Sequence, residues 1–222
     1  KEYVFDRQLV TLDDCRSVIK NNYEGREDLR QLFLATNDRK FGSASTEVLD
    51  LCNQLIDCVS HAVEPLKANG NAVKFGLSSP AYISQSVRSP ATLDGRKSNE
   101  PYAVHISPVS SSIDISEVLR FARSLDYPYN SLNGNVVDFI IPSSYQKHPE
   151  KLVAIIRDAF SRGLFQLQLN VLDKQTLIDA KAHPDRYPNL VVRVWGFSAY
   201  FNDLPEEYKD NLIVRAETYE TA

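Results

Sequence analysis

Residues 165–171 read Phe-Gln-Leu-Gln-Leu-Asn-Val, and this strict alternation requires a strand with one apolar and one amide-bearing face. Helical patterns flank it on both sides. His148-Pro149-Glu150 opens one helix, with Leu152, Ile155, Ile156, Ala159 and Phe160 inward and Gly163 at its end. Asp173 caps a second, which stops before His183-Pro184. The apolar run Val136–Ile141 predicts a buried strand, after a turn at Asn133-Gly134. Leu190–Val194 predicts another, interrupted by Trp195-Gly196-Phe197. Pro205 then opens a terminal amphipathic helix through Tyr208, Leu212 and Ala216. Strands alternating with helices in this order define an α/β fold.

Upstream the texture differs. Thr11 caps a helix carrying Leu12, Cys15, Val18 and Ile19, and a short helix follows through Leu29, Leu32 and Phe33. From Ser45 a longer helix places Val48, Leu51, Cys52, Leu55, Ile56, Val59 and Val63 at the spacing of a buried stripe, with Asn69-Gly70-Asn71 as its stop. From Val73 to His105 the chain is rich in Ser, Pro and Gly, with short β-like pieces and a tight turn at Asp94-Gly95-Arg96. Asp114 and Glu117 are helix-start charges, favoured by the macrodipole. Three segments follow: a helical one at 1–69, a mixed one at 70–162 and an alternating one at 163–222.

Composition excludes several classes. A net charge of −4, with the basic residues scattered, leaves no phosphate-tracking surface for nucleic acid. No apolar stretch approaches the roughly 20 residues of a membrane span, and the start lacks the apolar core of a signal peptide. A cytoplasmic protein is expected. The three cysteines, Cys15, Cys52 and Cys58, show no metal-ligand spacing, and their odd number argues against a disulfide framework. They read as buried or half-buried free thiols on helices, and no metal site is expected.

The run Arg193-Val194-Trp195-Gly196-Phe197-Ser198-Ala199-Tyr200 closely resembles the signature of the glycyl radical enzymes, whose pattern is Arg-Val-x-Gly-Tyr-Ser-Ala or a near variant. His183-Pro184-Asp185-Arg186-Tyr187-Pro188-Asn189 leads into it, and Asp203-Leu204-Pro205 leads out. Leu93-Asp94-Gly95-Arg96-Lys97 and Gln168-Leu169-Asn170-Val171 resemble two further family segments, in the family order. Two positions depart from the pattern: Phe197 replaces the usual tyrosine, and Trp195 stands where a small residue is common.

The resemblance implies the C-terminal half of a ten-stranded α/β barrel, with residues 70–162 as a half-barrel segment and 163–222 as a glycine radical domain. It implies Gly196 as the radical residue, with Arg193, Val194, Trp195, Phe197, Ser198, Ala199 and Tyr200 forming its loop. Glycine is required there because an α-carbon radical must lie planar between its amide nitrogen and carbonyl, where a Cβ would clash. No cofactor is expected to be bound. A separate activating enzyme, using S-adenosylmethionine and an iron–sulfur cluster, would take a hydrogen atom from Gly196. The radical would then pass to a cysteine that attacks a small-molecule substrate. The family places that cysteine in a Gly-Cys-x-Glu or Cys-Cys loop, and none of Cys15, Cys52 or Cys58 has such neighbours. A longer chain, or a segment outside this sequence, is therefore expected to supply it. Two rivals are a spare part that replaces an oxygen-damaged radical domain and a structural subunit whose Gly196 is never activated. Gln166, Gln168 and Asn170 face either a barrel interior or a solvated or backbone-pairing surface, and Asp94 and Arg96 read as a turn and ion pair.

Overall fold

The computed structural model describes residues 1–36, 38–76, 82–107, 114–128, 131–132, 136–194 and 196–220, without the side chains of 132 and 218–220. The Asn133-Gly134 turn and Trp195 lie outside the described residues. The chain divides into two compact units, Lys1–Lys40 with Ala81–Tyr102, and Phe41–Pro80 with Ala103–Ala222.

The first unit holds α1 (Leu12–Lys20) and α2 (Glu27–Leu34). Thr11 and Asp14 form a reciprocal capping box at the start of α1: Asp14 N–H donates to Thr11 Oγ1, and Thr11 N–H donates to Asp14 Oδ2, each at 3.0 Å. Val10, Cys15, Val18, Tyr23, Leu29 and Phe33 make its core. The Asp94-Gly95-Arg96 turn is present, pinned by Arg96 N–H donating to Asp94 Oδ1 at 3.2 Å. The expected ion pair is not. The buried Arg96 guanidinium instead donates to Ser89 Oγ at 2.9 Å and to the carbonyls of Pro90, Lys97 and Glu100, and it stacks 4.6 Å from the Tyr102 ring centroid. Several fixed dipoles satisfy the guanidinium fork, which one exposed carboxylate could not do.

The second unit opens with α3 (Thr46–Val63), six residues shorter than its expected stop. Asn69-Gly70 is a hairpin turn between β1 (Lys67–Ala68) and β2 (Asn71–Ala72), both turn residues having positive φ. Only Val48 and Ile56 of the predicted apolar stripe are buried, whereas Leu51 and Leu55 are exposed. β3 (Phe75–Gly76), α4 (Ile115–Arg123) and β4 (Ser131–Leu132) follow. Asp114 caps α4 through the Glu117 N–H at 2.9 Å. Glu117 has a further role, its carboxylate accepting from Ser43 Oγ and the Ala44 N–H.

The centre of this unit is β5 (Val136–Ile141), α5 (Pro149–Ser161) and β6 (Gln166–Val171), a parallel βαβ arrangement with Val136 opposite Gln166 and Ile141 opposite Val171. Period-two geometry sends Val137, Phe139 and Ile141 into one core with Val118, Phe121 and Ala159. Ile140, on the other face, joins a second core with Leu177 and Ala180 of α6 (Lys174–Ala182), Phe201, and Leu212 and Ala216 of α7 (Glu206–Glu220). Val192 and Val194 of β7 (Val191–Val194) complete it. β8 (Phe197–Tyr200) returns antiparallel to β7. Among the described residues the strands pair two by two, in a mixed α/β arrangement. No described helix is long and apolar enough to cross a membrane.

Candidate radical site

Phe197 does not interrupt a strand; it begins one. Val194 pairs with Phe197 and Arg193 with Ser198, so β7 and β8 form a β-hairpin with Gly196 in its turn. Gly196 sits in that turn at φ +82°, where the lack of a Cβ removes the left-handed penalty, and no heavy atom outside its two chain neighbours lies within 4 Å of where a Cβ would stand. The apolar pattern anchors the hairpin by its inward residues. Val192 and Val194 are buried, and the fully buried Phe201 closes the base, its N–H donating to the Leu190 carbonyl at 2.8 Å. Arg193, Phe197, Ser198 and Tyr200 point outward, and Ala199 is half-buried.

The segment before the hairpin braces it. Asn202 Nδ2 donates to the carbonyls of Pro184 and Tyr187, at 3.0 and 3.2 Å. Tyr187 Oη donates to Asp179 Oδ2 at 2.6 Å, which raises the phenol pKa.

From the floor of the site, two amides of β6 reach up to the hairpin. Asn170 Oδ1 accepts the Arg193 N–H at 2.7 Å, and Asn170 Nδ2 donates to the Arg193 carbonyl at 3.1 Å. Gln168 Oε1 accepts the Gly196 N–H at 3.3 Å, and its Nε2 lies 3.5 Å from the Arg193 carbonyl. Both side chains are buried, so of the two readings left open these residues take the backbone-pairing one; Gln166 is exposed.

Residues missed by the sequence reading lie beside them. Asp138 on β5, opposite Gln168 in the ladder, is 1% exposed, and Arg215 of α7 reaches it. Arg215 Nη2 donates to the Asp138 carbonyl at 3.0 Å, so the carboxylate oxygen 3.3 Å away is neutralised by charge without a directed hydrogen bond. Ser107 Oγ donates to the same carbonyl and accepts the Asp138 N–H, both at 2.8 Å. Burial lowers the pKa of the half-buried His105; the Arg215 charge adds to that effect and Asp138 opposes it. A carboxylate inside the apolar run Val136–Ile141 was the available signal, since a charge there must have a partner.

Cys15 lies on α1, and Cys52 and Cys58 on α3. Burial raises the pKa of Cys15 and Cys52. Cys58 departs from the expectation of burial and is exposed.

The fold and site define a mixed α/β chain that presents a backbone glycine on a hairpin tip tethered by side-chain amides. Residues 93–202 match the family model described as "Glycine radical". The chain is 27% identical over 229 residues to the (2S)-3-sulfopropanediol dehydratase of Klebsiella oxytoca, covering 99% of this chain and 28% of that relative. A structure from Roseburia inulinivorans, described for 1,2-propanediol dehydration, matches with a TM-score of 0.84 at 27% identity, over 97% of this chain and 29% of its own. A glycyl radical enzyme from Archaeoglobus fulgidus matches with a TM-score of 0.79 at 25% identity, over 91% of this chain and 27% of its own. This protein belongs to the glycyl radical enzyme family, and it spans under a third of the length of these relatives.

Proposed function

We propose that Gly196 stores a radical on its α-carbon, and that this chain is the radical-carrying subunit or C-terminal part of a glycyl radical enzyme of the lyase, dehydratase or acyltransferase class. The observation that carries the reading is the hairpin tip. The motif's glycine lies at φ +82°, and apart from its chain neighbours no heavy atom stands within 4 Å of the place a Cβ would take, so the α-carbon is not packed under another part of the fold. The departing hydrogen atom goes to the activating enzyme, one that uses S-adenosylmethionine and an iron–sulfur cluster, in an oxygen-free cytoplasm. The unpaired electron left on Gly196 is shared with the adjoining amide nitrogen and carbonyl. Arg193, Val194, Trp195, Phe197, Ser198, Ala199 and Tyr200 form the loop that the activating enzyme handles.

Gly196 then takes a hydrogen atom from the thiol of a cysteine outside residues 1–222, on a longer partner chain or on another segment, and the sulfur radical so formed attacks a small-molecule substrate. In support, the three cysteines here lie on helices, and none has the Gly-Cys-x-Glu or Cys-Cys neighbours expected of the family's cysteine. The exposed Leu51 and Leu55 of α3 fit a face packed against the remaining barrel strands in a hetero-oligomer. Similarity along 99% of this chain, well beyond residues 163–222, supports this reading over a spare-part protein.

Anaerobic treatment with the activating enzyme is expected to give a glycyl doublet in electron paramagnetic resonance, and Gly196→Ala to abolish it. A doublet that survives in that variant overturns the assignment. Admitting air after activation is expected to cut the backbone at Gly196, seen as two fragments by mass spectrometry.

A further inference from the structure

We propose that Gln168 is the positioning residue for the Gly196 amide, a releasable latch on a hairpin that Asn170 anchors. The inference rests on Gly196 being the radical residue, but the latch can be tested without any radical. β6 is bonded to β5 along one edge through a six-residue ladder. Along its other side the described β7 makes no ladder with it. Asn170 supplies there, from a single side chain, the donor and the acceptor that a neighbouring strand would offer to Arg193. Its amide orientation is fixed by need, since the Arg193 N–H requires an oxygen and the Arg193 carbonyl a hydrogen. Gln168 lies two residues earlier on the same face of β6, and its oxygen is set against the Gly196 N–H.

The distances grade the two contacts. The Asn170 bonds are 2.7 and 3.1 Å, whereas those of Gln168 are 3.3 and 3.5 Å, at the long end for a hydrogen bond. Rotation of one glutamine side chain therefore frees the Gly196 amide and leaves β7 fastened at Arg193. A main-chain ladder would have to unzip instead. With the latch closed, the glutamine oxygen fixes the direction of the Gly196 N–H, and with it the amide with which a radical on Gly196 must conjugate. Gln168 thus sets how readily Gly196 leaves for activation and how long its radical persists after return.

Amide exchange of Gly196, followed by nuclear magnetic resonance on the unactivated protein, tests the latch directly. Gln168→Leu is expected to speed exchange at Gly196 about two- to tenfold, as loss of one neutral hydrogen bond implies, with Arg193 unchanged. Gln168→Glu keeps an oxygen toward the Gly196 N–H and is expected to retain protection. Unprotected exchange at Gly196 in the wild type, no acceleration in a folded Gln168→Leu protein, or loss of protection in a folded Gln168→Glu protein overturns the latch. After activation, the doublet in Gln168→Leu is expected to form faster and decay sooner, with a changed coupling to the exchangeable amide proton. An unchanged coupling and lifetime would reject the positioning role. A wild type that shows the exchange behaviour but never the doublet would instead remove the radical reading while the latch stands.

Discussion

Replacing Arg215 with methionine keeps most of the side chain's length and apolar stem but strands the Asp138 carboxylate. Asp138 is 1% exposed, and the Arg215 side chain is 13% exposed, so this pair is largely out of water. Removing one partner of such a pair costs about 3–5 kcal/mol, because the charge left behind keeps its desolvation penalty. Against a usual domain stability of about 5–15 kcal/mol, that is about a fifth of the total at the least. With a urea dependence of about 2 kcal/mol per molar, the unfolding midpoint should fall by about 2 M. Asp138→Asn should cost less, because Arg215 keeps the Asp138 carbonyl as an acceptor and retains some access to solvent. The double variant Asp138→Asn/Arg215→Met should be more stable than Arg215→Met alone, since no unpaired charge remains. An Arg215→Met loss under about 1 kcal/mol, or strict additivity in the double variant, would refute the claim that charge pairing holds α7 to β5.

Two further perturbations follow from the same physics. The His105 pKa is lowered in the folded state, so only the unfolded chain takes up a proton just below pH 6.5. Stability should therefore be intact above that pH and fall as pH drops through the lowered folded value. His105→Asn, which tolerates the φ of +54° at that position, should remove this part of the pH dependence in urea melts at pH 5 to 8. Gly95→Ala should destabilise the first unit by about 2–4 kcal/mol, from left-handed strain and overpacking. Gly95 has φ +98°, and a Cβ there would lie 2.7 Å from Leu34 Cγ. A melt that matches wild type would contradict this.

The elements whose burial follows a period were legible. Val136–Ile141 is a wholly buried strand, and helices form after Pro149 and Asp173, although Phe160 of the first is exposed and the Asp173 carboxylate accepts the Ser143 N–H instead of capping the second. Helix ends were less legible where a turn competed. Asn69-Gly70 supports a hairpin turn as readily as a helix stop, and the φ values of both residues decide for the hairpin. The α3 stripe misled because periodicity reports which face is apolar and says nothing of what covers it; Leu51 and Leu55 follow the pattern and are exposed.

The candidate site divides along a similar line. The segment around Gly196 was legible because its residues form a dense local motif, and Gly196 does take a left-handed position in the turn. The hairpin was not, because Phe197-Ser198-Ala199-Tyr200 carries no strict alternation and its pairing depends on the positive φ that Gly196 takes in the turn. The floor beneath the hairpin was the hardest part to read. Asn170 meets Arg193 across 23 residues, and Arg215 meets Asp138 across 77, so neither pairing leaves a local pattern. Each nevertheless leaves a trace in cost. A carboxylate or an amide on the covered face of a strand requires a partner, and β5 and β6 place Asp138, Gln168 and Asn170 side by side on one such face. Two of the three are satisfied by the hairpin backbone and the third by the terminal helix. The polar content of these strands thus adds to the apolar anchor of Val192, Val194 and Phe201 in coupling the backbone around Gly196 to the rest of the second unit.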